Sequence, residues 1–224
     1  MQLRDIQGLR YPDEFVTRFF FKYGLSRNTG SVLELGCGNG NNLSLFYQFG
    51  WRVVGVDSNY VCIEEGNRIF QNLSKDSQTS GYELKAGDMV DFLESGVYPP
   101  FNALILASSI YYLKYERIIQ LFRLLRERNF LEKGAKVYIR VRKDDDFRFG
   151  KGIQTSAKSY KIDFPETGER NCEVIFFGMD EFAEILNEHL PLANVQRMNL
   201  RFDDYQAPLM IDNSDMIFWG EYLK

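Results

Sequence analysis

The amino-acid sequence predicts an α/β fold, a doubly wound and mostly parallel sheet with helices on both faces. Apolar runs short enough to be buried strands alternate with segments of helical spacing as far as residue 142. Parallel strands need crossover helices, and these helices cover both faces of the sheet. Apolar residues make up 45% and aromatic residues 15% of the 224 residues, which is enough to build a core. We expect one domain, 1–224.

Five apolar runs predict the strands of the core, at 32–35, 52–56, 82–86, 103–107 and 136–141. Helical spacing predicts helices at 13–23, 42–49, 61–73, 115–128 and 180–190. Pro12 and Asp13 are start signals for the first helix. Two further strands are predicted at 195–203 and 216–223, and their short connection favours an antiparallel pair at the end of the sheet.

Composition excludes several classes of protein. With 27 Lys and Arg against 31 Asp and Glu, the net charge is −4, which argues against a general nucleic-acid binder. The three cysteines, Cys37, Cys62 and Cys172, form no CxxC pair, so neither a disulfide scaffold nor a metal site is predicted. The most apolar stretch, 101–113, is too short to span a bilayer, and the N-terminus has no apolar signal segment. We therefore expect a soluble, cytoplasmic protein without a membrane partner.

Changes in polarity and periodicity along the sequence suggest a division into four parts. Residues 1–30 are expected to form an N-terminal helical cap, and residues 31–142 the ligand-binding core. The segment 143–179 begins with a long polar stretch that lacks a clear period, which is typical of a lid or substrate loop. Residues 180–224 complete the sheet with a helix and a strand pair.

A glycine-rich loop follows the first predicted strand, in the sequence Val-Leu-Glu-Leu-Gly-Cys-Gly-Asn-Gly that ends at Gly40. Glycines at 36, 38 and 40 let the backbone turn sharply and approach a ligand closely. Because the loop leads into a helix, its amides favour a carboxylate or a phosphate. Asp57 ends the next strand, where a carboxylate can accept hydrogen bonds from both hydroxyls of a ribose.

The spacing of the glycines in this loop indicates which class of nucleotide it can bind. The glycines follow GxGxG rather than GxGxxG, and no GK[ST] is present, so dinucleotides and P-loop ligands are disfavoured. Asp88, after the third strand, is placed to accept a hydrogen bond from an adenine amino group, with Met89 packing on the ring. Glu34 is placed to hold the loop or an amino group. An amino acid, a ribose and an adenine without a diphosphate together indicate S-adenosylmethionine.

Four motifs carry a family resemblance. Glu-Leu-Gly-Cys-Gly-Asn-Gly at 34–40, Gly-Val-Asp at 55–57, Gly-Asp at 87–88 and Phe-Asn-Ala-Leu-Ile-Leu at 101–106 resemble the successive motifs of class I S-adenosylmethionine-dependent methyltransferases. The segment that begins at Tyr11 resembles the N-terminus of bacterial small-molecule methyltransferases. The resemblance implies a Rossmann-like, seven-stranded sheet with an antiparallel C-terminal strand and S-adenosylmethionine as cofactor.

Twelve residues are predicted to bind the cofactor: Glu34, Gly36, Cys37, Gly38, Asn39, Gly40, Asp57, Ser58, Asp88, Met89, Ala107 and Ser108. Five are predicted to contact the substrate: Tyr11, Ser109, Tyr111, Tyr112 and Arg140. No catalytic residue is assigned. The lone histidine, His189, is expected at the end of a late helix as a cap or surface residue rather than as a base.

Each of these assignments has a structural alternative. The glycines would also suit a tight turn without a ligand, and Asp57 and Asp88 would suit loop or cap chemistry at strand ends. Cys37 is expected to be a small filler residue. Tyr111 and Tyr112 are equally suited to packing, and Arg140 to a solvated rim.

The sequence thus predicts methyl transfer to a small molecule, with oxygen as the preferred acceptor atom. Positioning of the acceptor against the methyl group would supply most of the catalysis, by in-line displacement. Three alternatives stay open: a nucleic-acid or protein methyltransferase, a non-catalytic S-adenosylmethionine-binding module and, least favoured, a dehydrogenase. The acceptor and the oligomeric state are not indicated.

Overall fold

The computed structural model describes residues 11–75, 81–206 and 208–224. The strands of the main sheet are β1 (Ser31–Leu35), β2 (Arg52–Asp57), β3 (Tyr82–Ala86), β4 (Phe101–Ala107), β5 (Leu131–Arg142), β9 (Leu192–Gln206) and β10 (Leu209–Tyr222). A smaller sheet contains β6 (Ile153–Gln154), β7 (Ser159–Phe164) and β8 (Glu169–Ile175). The helices are α1 (Glu14–Lys22), α2 (Asn41–Gln48), α3 (Tyr60–Lys75), α4 (Met89–Ser95), α5 (Tyr115–Glu127) and α6 (Met179–His189).

The main sheet has seven strands in the order β3-β2-β1-β4-β5-β10-β9. β1 to β5 pair in parallel, whereas β10 pairs antiparallel with both of its neighbours, β5 and β9. The predicted fold class, with one antiparallel C-terminal strand, is therefore confirmed. The order reverses between β1 and β4, which is where open α/β sheets bind their ligands.

Two apolar cores cover the two faces of this sheet. On one face, α1, α2 and α3 bury aromatic residues such as Phe19, Phe46 and Phe70. On the other face, α4, α5 and α6 bury residues such as Phe122 and Phe182. Side chains along β5 alternate between the two cores, as a strand buried on both faces requires. Helices on both faces of one sheet confirm the prediction of a doubly wound fold.

The segment after β5 differs from the prediction. An irregular loop was expected there, but 153–175 contains the three-stranded antiparallel sheet β6-β7-β8. β7 does alternate apolar and polar residues from Tyr160 to Phe164, a strand signal that the sequence analysis overlooked within a long polar segment, and β6 has only two residues. Ile162, Val174 and Ile175 join the core on the side of α5 and α6.

One helix, α4, was also missed. It has only seven residues and begins directly after Asp88, which the sequence analysis interpreted as a ligand residue. The other predicted helices and strands are present with shifted ends, the largest changes being the longer β5, β9 and β10. Within the described ranges, no helix is both long and apolar enough to cross a membrane.

Candidate functional site

The candidate site is a cleft at the carboxyl ends of β1, β2 and β4, made of two pockets that share Gly36. The first pocket measures about 450 Å³ and is lined by the loop 36–39, by Glu34 and Ala107, and by the start of α1. The second pocket measures about 440 Å³ and is lined by Asp57, Ser58 and the segments 87–89, 108–109 and 112–113. A ligand that crosses Gly36 would therefore occupy both pockets.

The loop between β1 and α2 requires glycine for two separate reasons. Gly36, Gly38 and Gly40 have φ of +79°, +54° and +80°, a region that strains other residues. At Gly36 a Cβ atom would also lie 2.2 Å from the Cβ of Ser109, whereas at Gly38 nothing lies within 4 Å. Gly36 thus allows β1 and the segment after β4 to approach, and Gly38 leaves open space above the loop.

Asp57 holds this loop in place. Its Oδ2 accepts a hydrogen bond from the backbone N–H of Gly38 at 2.7 Å, and its Oδ1 accepts one from Asn59 at 2.8 Å. The carboxylate lies at the end of β2 and lines the second pocket. Asp57 therefore has a structural task in the loop and a half-buried position in the wall of the cleft at the same time.

Glu34 is the most unusual acid of the cleft. It is 1% exposed, its Oε1 accepts a hydrogen bond from Asn42 at 2.7 Å, and its Oε2 is buried without a partner. Burial raises the pKa of this carboxyl to about 8, against the lowering effect of Asn42. Without a partner on Oε2 the carboxyl keeps its proton up to this pKa, and a cationic ligand that donates to Oε2 in the first pocket would stabilise the charged form in its place.

Asn42 extends the contacts of Glu34 to the N-terminal helix. While its Nδ2 donates to Glu34, its Oδ1 accepts the backbone N–H of Asp13 at 2.8 Å. Asp13 caps α1 by accepting from Phe15 and Val16, and it also lines the first pocket. The start of α1 is thereby fixed against the floor of the cleft.

Asp88 has the cap role that was the structural alternative. Its Oδ1 accepts the backbone N–H groups of Val90 at 2.7 Å and Asp91 at 3.0 Å, and it forms an ion pair with Arg117 at 2.6 Å. All of these contacts use Oδ1. Asp88 and Met89 nevertheless line the second pocket, so the cap also presents both side chains to the cleft.

The segment after β4 forms one wall of the second pocket. Ser108 has φ of +56°, which turns the chain there, and the Oγ of Ser109 donates to the backbone oxygen of Leu35 at 2.7 Å. Tyr112 lines the second pocket, and its hydroxyl donates to Glu169 of β8 at 3.2 Å. The small sheet is therefore tied to the wall of the cleft.

Arg140 and Tyr111 were predicted to contact a substrate, but they line neither pocket. The Arg140 guanidinium donates to Asp215 at 2.8 Å and to Asp13 at 3.0 Å, so its charge is already compensated. Tyr111 is 4% exposed and lies under the guanidinium of Arg142, 4.7 Å from its ring centre. Gly40 also lies outside the pockets, at the N-terminus of α2. These three residues have packing or charge-pairing roles in the structure.

The cleft brings together most of the residues predicted from the sequence, those that line it being Tyr11, Glu34, Gly36, Cys37, Gly38, Asn39, Asp57, Ser58, Asp88, Met89, Ala107, Ser108, Ser109 and Tyr112. The sequence analysis missed Asn42 and Asp13. The sequence had indicated Asp13 only as a helix start. Asn42 comes directly after the glycine loop, and its amide side chain at that place could have indicated a residue of the site.

A family comparison agrees with the geometry of the cleft. The model of a protein family described as a methyltransferase domain matches residues 4–189 of the sequence. The chain belongs to this methyltransferase family. The predicted family and the prediction of an enzyme are confirmed by this match.

Solved structures share the fold of this methyltransferase. A S-adenosylmethionine-dependent methyltransferase from Methanosarcina mazei has 16% identity and a TM-score of 0.68, over 96% of this chain and 100% of that chain. A 1,6-didemethyltoxoflavin-N1-methyltransferase from Burkholderia thailandensis, solved with 1,6-didemethyltoxoflavin and S-adenosylhomocysteine, has 14% identity and a TM-score of 0.60, over 93% and 76%. The N-methyltransferase NodS from Bradyrhizobium japonicum, solved with S-adenosylhomocysteine, has 15% identity and a TM-score of 0.59, over 94% and 87%. No curated protein matches the sequence significantly.

Proposed function

We propose that this methyltransferase transfers the methyl group of S-adenosylmethionine to a small-molecule acceptor, with oxygen as the acceptor atom. The observation that carries the proposal is the pair of pockets that share Gly36, one lined by Glu34 with its unpartnered Oε2 and the other by Asp57. The family match and the two neighbours solved with S-adenosylhomocysteine support the same cofactor.

The residues of the cleft fit this cofactor. Glu34 Oε2 offers a buried acceptor to the amino group of its methionine part, and the open space above Gly38 leaves room beside it. Asp57 lies where ribose hydroxyls would donate, and Asp88 with Met89 lies where an adenine would sit. When bound, the cofactor supplies a methyl group on a sulfonium, whose leaving group is a neutral thioether.

Positioning is the main contribution that we assign to the chain. A well-oriented acceptor gains about 7–11 kcal/mol relative to free encounter in favourable cases. No histidine is among the described residues that line the cleft, and burial raises the pKa of the Tyr112 hydroxyl there, which keeps that phenol protonated. Glu34, the cleft acid with a raised pKa, is assigned to the amino group of the cofactor. This favours an acceptor that is already an oxyanion, such as a carboxylate or a phenolate, because it needs no proton removed.

The lid function expected for 143–179 also stays a proposal. The hydrogen bond from Tyr112 to Glu169 supports it, because it connects β8 to the wall of the second pocket. In this arrangement the small sheet would form one side of the acceptor site. The cytoplasmic location expected from the sequence likewise stays a prediction.

A nitrogen acceptor is the second candidate. Asp13, Glu14 and Glu34 line the first pocket, and neither lysine nor arginine is among the described residues that line it. Such a surface favours cations, including protonated amines. The Burkholderia thailandensis neighbour is named as an N1-methyltransferase, which is compatible with this alternative.

The test is a transfer assay with labelled S-adenosylmethionine and panels of small carboxylates, phenols and amines, followed by mass spectrometry of the products. Asp57→Ala serves as the cofactor-site variant and Asp144→Ala, outside both pockets, as its control. We expect label in an oxygen-linked methyl group, lost in the first variant only. Label in amines would select the nitrogen acceptor. Salt-sensitive methylation of RNA, DNA or protein, or tight cofactor binding without transfer to any acceptor, would overturn the proposal.

A further inference from the structure

The two edges of the main sheet are built differently. β3 forms one edge with five residues and carries Lys85 and Glu83, a charged and short edge of the kind that discourages pairing. β9 forms the other edge with 15 residues, and within the described part of the chain its only partner strand is β10. A long edge strand with apolar side chains is a template for another strand.

Exposed apolar side chains continue along this edge. Val195, Phe202 and Tyr205 are 37%, 44% and 66% exposed. A register shift between Trp219 and Glu221 of β10 interrupts β9, where Asn194, at φ of +53°, and Val195 both lie opposite it. The regular part of the edge therefore starts at Gln196, and Leu200 lies within it.

This segment is complementary to itself in the antiparallel direction. If Leu200 of one copy faces Leu200 of a second copy, each residue before it faces the residue equally far after it. Arg197 then faces Asp203, and this pair occurs twice by symmetry. On the opposite face Met198 faces Phe202, also twice. Opposite charges and apolar pairs across strands are the contacts that stabilise antiparallel sheets.

If the central residue is shifted by one position in either direction, the charges of the two strands no longer complement one another. With Asn199 at the centre, Arg197 would face Arg201, and with Arg201 at the centre, two arginines would face each other. Like charges directly opposite are destabilising. Arg201 is also engaged within its own chain, where it pairs with Asp212 of β10. Arg197 has only exposed or peripheral contacts, with Asp180 at 3.4 Å and the ring of Phe218 at 5.9 Å.

We propose that β9 pairs antiparallel with β9 of a second copy of this chain, with Leu200 on the two-fold axis, so that the two seven-stranded sheets become one. The partner is a second copy because the complementarity joins the segment to its own reversed sequence. The proposal does not depend on the cofactor or on the acceptor, since β9 lies at the far end of the sheet from the β1–β4 reversal.

The test exploits the reciprocity of the two Arg197–Asp203 pairs. Arg197→Asp and Asp203→Arg each place like charges opposite one another twice, so each variant alone is expected to raise the dimer dissociation constant at least about tenfold. A mixture of the two variants restores both ion pairs, and so does the double variant. Arg123→Asp, the same charge change on the exposed side of α5, is the control.

Analytical ultracentrifugation and size-exclusion chromatography with light scattering give the masses, and circular dichroism checks that each variant folds. We expect a wild-type dimer, weakened single variants, and dimers in the mixture and in the double variant. A wild-type chain that remains monomeric at high micromolar concentration would overturn the proposal. So would a dimer that tolerates both single variants, or single variants that fail to complement one another.

Discussion

The Oδ2 atom of Asp57, at the end of β2, accepts a hydrogen bond from the backbone N–H of Gly38 at 2.7 Å. This contact joins two of the sequence motifs, the glycine loop and the acid of Gly-Val-Asp, before any ligand is considered. The shape of the cleft therefore depends on the same carboxylate that is proposed to meet the ribose. A change at Asp57 should affect both the loop and the ligand.

We expect Asp57→Ala to weaken the binding of S-adenosylmethionine at least about tenfold, because it removes acceptors that are worth roughly 1.5–3 kcal/mol when charged. Asp144→Ala should change the affinity little, since Asp144 contacts Lys158 and lies outside both pockets. Isothermal titration calorimetry compares the two variants. Equal losses of affinity would contradict the assignment of the second pocket.

Gly36→Ala should be more harmful than Gly38→Ala. Both substitutions place a side chain at positive φ, which costs about 1–2 kcal/mol. Only at position 36 does the new Cβ also collide with Ser109, 2.2 Å away. We therefore expect a lower free energy of unfolding and weaker cofactor binding for Gly36→Ala, measured by urea denaturation and calorimetry. Indistinguishable variants would show that the close approach to Ser109 is unimportant.

The buried carboxyl of Glu34 should produce a distinctive pH dependence of stability. Its pKa is raised by burial from 4.5 to about 8, so between these values the folded chain keeps a proton that the unfolded chain has lost. The free energy of unfolding therefore falls as pH rises through this range, by at most about 1.4 kcal/mol per pH unit from this group, and levels off above it.

Glu34→Gln removes this titration and retains an oxygen that can accept from Asn42. The difference in the free energy of unfolding between wild type and variant, measured by urea denaturation without ligand, should change across that pH range in favour of the variant. All other titrating groups are common to both chains and cancel in the difference. A difference that stays constant with pH would mean that Glu34 ionises normally.

Glu169 is expected to anchor the small sheet. It is 7% exposed and accepts from both Arg142 and Arg148, which are themselves buried. Removal of the charge leaves Arg148 with Asp146 and leaves Arg142 with the longer ion pair to Asp215 at 3.9 Å, so the expected cost is at most about 3–5 kcal/mol. Glu169→Gln should lower the melting temperature and increase proteolysis between β6 and β8. Glu166→Gln, an exposed neighbour, is the control, and equal behaviour of the two variants would exclude the anchor role.

The residues that line the cleft around the glycine loop could be predicted from the sequence because their signals are local. The residues of β1, the glycine loop and α2 are adjacent in the sequence, so their patterns can be recognised together. Asp57 comes directly after the apolar residues of the next strand. The role of Asn42 is different, because it depends on the backbone of Asp13, 29 positions earlier in the chain. A contact over that distance in sequence is set by packing of α1 on α2 and has no local pattern.

Arg140 shows the same distinction on β5. Its position at the carboxyl end of the strand was read correctly, but its partner Asp215 comes from β10, which adds to β5 only in the folded sheet. The small sheet was missed although β7 alternates from Tyr160 to Phe164, because this short signal lies within a long polar segment that has no clear period elsewhere. Asp88 was interpreted first as a ligand residue, with strand-end chemistry only as the alternative, because the seven-residue helix that it caps is too short to give a clear period.

The most direct test of the central claim is a crystal structure of the chain grown with S-adenosylhomocysteine. We expect the ligand to lie across Gly36, with its amino group within hydrogen-bond distance of Glu34 Oε2 and its ribose at Asp57. Both pockets empty at saturating ligand, or the ligand bound elsewhere on the chain, would contradict the claim.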